Sequence, residues 1–119
     1  VQGARTTHDA QLAARAIAKS ALVKTSWFGV DPNWGRVICA AGYSGATVDD
    51  QQAQIWYGDV IAYDRGRVAD SAALEKLKAV MRARAFDVTV NLNLGEGEDT
   101  IFTCDFSLEY VKINADYTT

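Results

Sequence analysis

The sequence predicts an α+β fold, with helices packed on a largely antiparallel sheet in a single domain spanning residues 1–119. Three observations carry that reading. Alanine- and leucine-lined stretches near the amino end and after Ser71 repeat with helical period. A strictly alternating run from Phe86 to Leu94 is followed by a glycine-rich turn and a second apolar run. The 119 residues, 49% apolar and 23% charged with a single proline, suit one packed core and leave little room for a second.

Each element has a local reason. Thr6-Thr7-His8-Asp9 has the form of a capping box with Asp in the third place after the cap. Behind it Ala10, Ala13, Ala14, Ile17, Ala18 and Ala21 share one helical face, with Arg15 and Lys19 opposite. His8 belongs to the exposed first turn, since no carboxylate or thiol cluster accompanies it. Leu22–Phe28 reads as a short connecting strand. Asp31 is a suitable helix N-cap and Pro32 a suitable first helical residue, ahead of an apolar stripe of Trp34, Val37, Ile38 and Ala41 that ends at Gly42. That helix start either offers its free N–H groups to an anion or simply packs Trp34 into the core, and the residues favour packing. Gln54–Tyr57 and Val60–Tyr63 read as strands broken at Gly58-Asp59. Ser71 opens a helix that buries Leu74, Leu77, Val80 and Met81 and leaves Glu75, Lys76, Lys78, Arg82 and Arg84 in water.

In the alternating run, Phe86, Val88, Val90, Leu92 and Leu94 face the core. Gly95-Glu96-Gly97-Glu98-Asp99 then turns the chain, and Thr100–Phe106 is expected to return as the second strand of an antiparallel hairpin. The turn is too acidic for a phosphate loop. Tyr110, Val111, Ile113 and Tyr117 give the closing segment enough apolar surface to dock on the sheet.

Composition excludes several classes of function. Twelve basic residues against 15 acidic ones leave a net charge of −3, which draws neither nucleic acid nor an anionic membrane. No uncharged stretch approaches the about 20 residues of a membrane helix. Cys39 and Cys104 lie far apart, no CxxC occurs and there is one histidine, so neither a metal site nor a disulfide framework is expected. The two cysteines read as reduced, largely buried thiols of a cytoplasmic protein. No signal peptide is expected, and a first residue of Val rather than Met suggests processing or a piece of a longer polypeptide. No nucleophile elbow, HExxH, Rossmann glycine set or His/Cys pair is present.

Two stretches are more specific. Leu22-Val23-Lys24-Thr25 followed by Gly29-Val30-Asp31-Pro32-Asn33-Trp34-Gly35-Arg36, and the ending Asn114-Ala115-Asp116-Tyr117-Thr118-Thr119, resemble signatures of the ornithine acetyltransferase family, also called glutamate N-acetyltransferase. Ile55-Trp56-Tyr57-Gly58-Asp59-Val60 and Thr103-Cys104-Asp105-Phe106-Ser107 match in the same order, so the resemblance covers essentially the whole chain.

The resemblance implies the C-terminal portion of a larger αββα-type acetyltransferase of arginine biosynthesis. It moves acetyl from N2-acetylornithine to glutamate, and in some members also from acetyl-CoA, with no metal or redox cofactor. The family's precursor cleaves itself into α and β chains, and the new N-terminal Thr of the β chain is the nucleophile, its freed amine serving as base. That Thr, the oxyanion donors, a substrate Lys and a substrate Glu are implied to lie upstream of Val1. This chain therefore supplies no catalytic residue, and Thr6 and Thr7 are cap residues. The substrate-binding positions that fall within it are Asn114 and Thr119: an amide able to donate and accept, and a hydroxyl beside the terminal carboxylate. Implied partners are the α chain and the rest of the β chain in an α2β2 assembly. The competing reading is a non-catalytic amino-acid-binding or assembly domain of the same fold, with a tail that merely caps the sheet.

Overall fold

The computed structural model describes residues 1–117. The elements run α1 (Thr7–Ala18), α2 (Ala21–Phe28), α3 (Trp34–Gly42), β1 (Gln54–Tyr57), β2 (Val60–Asp64), β3 (Arg67–Val68), α4 (Ser71–Met81), β4 (Val88–Asn91) and α5 (Leu108–Asp116). The strands form one antiparallel sheet in the order β3-β2-β1-β4. The molecule is a slab of 45 × 36 × 19 Å. The α+β architecture is as expected.

The core follows the predicted faces. Ala10, Ala13, Ala14, Ile17 and Ala18 are buried along α1, and the Thr6 hydroxyl accepts the Asp9 N–H at 3.0 Å. The small side chains let α1 approach α3 closely, where Val37, Ala40 and Ala41 are buried. Tyr57, Ile55, Leu77, Leu92, Val23, Val37 and Val90 are the largest fully buried side chains. Leu77 and Met81 of α4 join them, while Leu74 is exposed and Val80 only packs against the cluster.

Several expectations are overturned. Leu22–Phe28 is helical: the Ser20 hydroxyl caps the segment by accepting the Val23 N–H at 3.2 Å, and burial of Val23 and Ser26 outweighs the strand preference of Val, Thr and Trp. Ala21 is therefore the start of a second helix and is exposed. Both cysteines are exposed, Cys39 on the outer side of α3 and Cys104 in an irregular segment. The closing segment forms α5, of which no residue is buried, so its apolar side chains do not dock on the sheet.

The largest difference concerns the hairpin. β4 keeps the alternation, with Val90 and Leu92 buried, but Thr100–Phe106 forms no strand. The amino terminus occupies the place expected for it. Gln2 N–H donates to Val90 O at 2.8 Å and Gln2 O accepts Leu92 N–H at 2.9 Å, a parallel bridge to Asn91. On its other side Val1 and Asp99 exchange N–H···O bonds of 2.9 Å each, and Ala4 and Gly97 exchange a pair of 2.9 and 2.8 Å. Gly3, at φ 67°, supplies the kink that changes the register between these two pairs.

Two expected outcomes follow from this threading. A Cβ at Gly97 would collide with the backbone carbonyls of Thr6 and Ala4, neither of which is a flexible side-chain end. Gly97→Ala is expected to cost about 2 kcal/mol or more, read as a lowered urea midpoint. The Val1 amine is held below its ordinary pKa of 8.0, chiefly by burial and against the pull of Asp99 and Glu98. The unfolded chain then binds this proton more tightly, so stability climbs with pH across the interval from the lowered pKa up to 8.0, and levels off above it. Acetylating the amine keeps the N–H donor to Asp99 O and removes the charge. The acetylated chain should be the more stable form below that interval and lose this slope, as pH-resolved denaturation would show.

Candidate functional site

The motif segments converge in space. The backbone turns at Val30, whose φ is 54°, and Asp31 N–H donates to Ser26 O at 3.0 Å, folding the DPNWGR loop back on the end of α2. The N-cap of α3 is Asn33, two residues later than the sequence suggests: its Oδ1 accepts the Arg36 N–H at 3.0 Å. Asp31 steadies the cap instead, accepting from Asn33 Nδ2 at 3.1 Å. Trp34 stacks on Tyr63 at 4.8 Å between centroids, as the packing reading of this loop requires. Two amides of the first turn are thus already answered, Trp34 N–H by Pro32 O and Arg36 N–H by the Asn33 side chain.

Arg36 links the two halves of the longest motif. Its Nη1 donates to Leu22 O at 2.9 Å and lies 3.5 Å from Thr25 Oγ1, so the LVKT helix and the DPNWGR helix are tied by one guanidinium. Lys24 then reaches the third motif. Phe106 N–H donates to Lys24 O at 3.2 Å, and Lys24 Nζ sits 4.3 Å from the centroid of the Phe106 ring. On its other side Phe106 stacks on Tyr110 of α5 at 4.8 Å. Ser107 caps α5 by accepting the Tyr110 N–H at 2.9 Å.

This relay ends at Asn114. Its Nδ2 donates to Tyr110 O, one turn back, at 2.8 Å, which fixes the amide along the helix and turns Oδ1 away from that bond. Asn114 is exposed, so the chain presents it without enclosing it. Thr119, the other expected substrate-binding residue, lies outside the described residues. Tyr110 and Phe106, which sequence reasoning assigned to docking on the sheet and to the returning strand, instead stack on each other. The signal for them was the i, i+4 spacing of two aromatics across the Ser107 cap.

A second feature lies beneath. Tyr57 Oη and Trp27 Nε1 are buried without a hydrogen-bond partner among the described residues, and both rings pack on Phe86, at 6.4 Å in each case. Burial, with a smaller contribution from Asp31, pushes the Tyr57 hydroxyl far above its ordinary pKa and keeps it protonated. Trp27 and Phe86 also line an open trough of about 1180 Å³ between β4 and residues 98–105. No group of three or more His, Cys, Asp or Glu side chains placed to hold a metal ion occurs among the described residues. No described helix is long and apolar enough to cross a membrane.

Comparison with known proteins fits the convergence of these motifs. The family model described as ArgJ matches residues 1–119. The arginine biosynthesis bifunctional protein ArgJ of Geobacter sulfurreducens is 49% identical over 119 residues, which are 100% of this chain and 30% of that protein. The glutamate N-acetyltransferase of Methanothermobacter thermautotrophicus is 40% identical over 131 aligned positions, covering 100% of this chain and 31% of that protein. The crystal structure of the arginine biosynthesis bifunctional protein argJ from Bacillus halodurans superposes with a TM-score of 0.89 at 36% identity, over 98% of this chain and 55% of that one. The chain thus spans about a third of the length of these curated relatives. With the family model matched from the first residue to the last, the chain belongs to the ArgJ family.

Proposed function

We propose that this chain is the tail-bearing, C-terminal part of an acetyltransferase that moves acetyl from N2-acetylornithine to glutamate in arginine biosynthesis. The observation that carries the reading is the relay from Arg36 through Leu22, Lys24 and Phe106 to Tyr110, which links the DPNWGR, LVKT and DFS motifs to the helix bearing Asn114. A relative named arginine biosynthesis bifunctional protein and one named glutamate N-acetyltransferase are 49% and 40% identical to it but about three times as long, which supports the reading.

In this reading the reacting groups lie upstream. An N-terminal Thr hydroxyl attacks the acetyl carbonyl, its own α-amine taking the proton, and ornithine leaves from the tetrahedral intermediate. The glutamate amine then attacks the acetyl-Thr ester, releasing N-acetylglutamate and restoring the hydroxyl. Acetyl-CoA is an alternative donor in the same first step. This chain supplies binding: the Asn114 amide and the Thr119 hydroxyl orient the amino-acid ends of the substrate, in an α2β2 assembly in the cytoplasm. Alone it has no nucleophile and is silent.

Acetyl transfer from N2-acetylornithine to glutamate by the longer parent polypeptide, beside this chain, tests the reading. Transfer by the parent and none by the chain is expected; a folded, cleaved parent without transfer would remove the proposal. Asn114→Ala in the parent should lower kcat/KM by about tenfold or more, the loss of one hydrogen bond to a charged group, with secondary structure unchanged by circular dichroism.

A further inference from the structure

The trough beside β4 has the hydrogen-bonding pattern of an empty strand position. Val90 O and Leu92 N–H both turn away from β1 toward Gln2. Asp87 O instead faces β1, accepting from Gly58 N–H at 2.8 Å. By the alternation of a ladder, the N–H and C=O of Val88 and the N–H of Val90 point outward, into the trough. Across it stands the segment 100–104, reached from Asp99, which already pairs with Val1. Both walls, Phe86–Val90 and Glu98–Asp105, line the same open space of about 1180 Å³, and Val1 closes one end of it. Ile17, Trp27, Met81 and Phe86 are among its apolar lining.

We propose that this trough is the seat of one further β-strand, contributed by the polypeptide that leads into Val1, running parallel to β4 and antiparallel to residues 99–103. The inference rests on the reading that the chain belongs to a longer protein, as its relatives do. Register commits the occupant. Gln2 bridges Asn91 in parallel, so the residue immediately before Val1 lies opposite Thr89, donating its N–H to Val88 O and accepting Val90 N–H. Val1 and Asp99 form a hydrogen-bonded antiparallel pair, so the second residue before Val1 exchanges both bonds with Ile101, and the fourth with Thr103. The direction in which Val1 already points places that segment in the trough. A strand there also explains why Thr100–Phe106, an apolar alternating run with Phe102 95% exposed, stands off from β4: it is next but one in the sheet. It removes an open edge, which an isolated sheet otherwise offers to other chains.

Amide hydrogen exchange on the longer polypeptide, resolved by residue, tests this without reference to activity. Val88, Val90, Ile101 and Thr103 should each exchange about a hundredfold or more slowly than in the 119-residue chain, while Thr100 and Phe102, on the opposite parity, should not. Equal rates at Ile101, Phe102 and Thr103 would overturn the strand, as would uniform protection of all of them, which describes a cover without ladder bonds. The same alternation in the short chain, growing with its concentration, would also overturn it, showing a second copy in the seat. An active polypeptide lacking the alternation would sink the strand and spare the proposed function; alternation in an inactive one would do the reverse.

Discussion

The arrangement depends on one stretch of four residues. Val1–Ala4 runs between β4 and Gly97–Asp99, with backbone hydrogen bonds to both sides. Buried Ala4 fixes the start of α1 two residues before its Thr6 cap, and thereby the face on which Ala10, Ala13 and Ile17 meet α3. On the other side the same stretch dictates two glycines. Gly95 and Gly97 pass so close to the Ala4 and Thr6 carbonyls that no side chain fits. Bonded through its backbone on both sides, this stretch is an interior position and not an edge.

That constraint has a consequence for the site. Displaced from β4, residues 100–106 form no ladder with it and run on to the ends of α1 and α2. Thr103 Oγ1 donates to Ala18 O at 3.0 Å, and Phe106 binds at Lys24. The tail helix therefore starts from the LVKT motif rather than from the sheet. Motifs separated by some eighty positions in sequence become one connected surface because the hairpin is not closed.

The sequence made the core legible wherever a face repeats with a clear period. α1 over Ala10–Ala18, the Leu77–Met81 part of α4 and the Val90–Leu92 alternation lie as the pattern predicts, because burial of one face decides both conformation and orientation. Ala21, Leu74 and Val80 fall at or beyond the edge of that face. It misled where two signals competed. Leu22–Phe28 carries strand-forming residues, but the Ser20 cap and the packing of Val23 decide the outcome. The hairpin failed as an expectation because adjacency in sequence says nothing of a strand arriving from 90 residues earlier, and Gln2 carries no periodic signature. The cysteines failed because a burial preference is an average, while Cys39 falls on the outward side of a helix whose inward side is filled by Val37, Ala40 and Ala41. The reading of Asn114 as a binding residue rests on resemblance alone; its local chemistry is that of an ordinary helix-surface amide.

The attachment of α5 to the body is slight. Among the described residues its ties to the body run through Phe106: one backbone hydrogen bond, one cation–π contact and one stacked ring. None is deeply buried, and exposed contacts of this kind contribute on the order of 1 kcal/mol each. Meanwhile Leu108, Val111, Ile113 and Tyr117 keep more than half of their surface in water, which leaves about 1–2 kcal/mol of burial unrealised for each aliphatic one. Covering all four of those side chains would contribute at least as much as the contacts that now hold the helix. The position of Asn114 is thus governed by whatever surface meets α5, and under the proposed function its amide would be set only once that surface is in place.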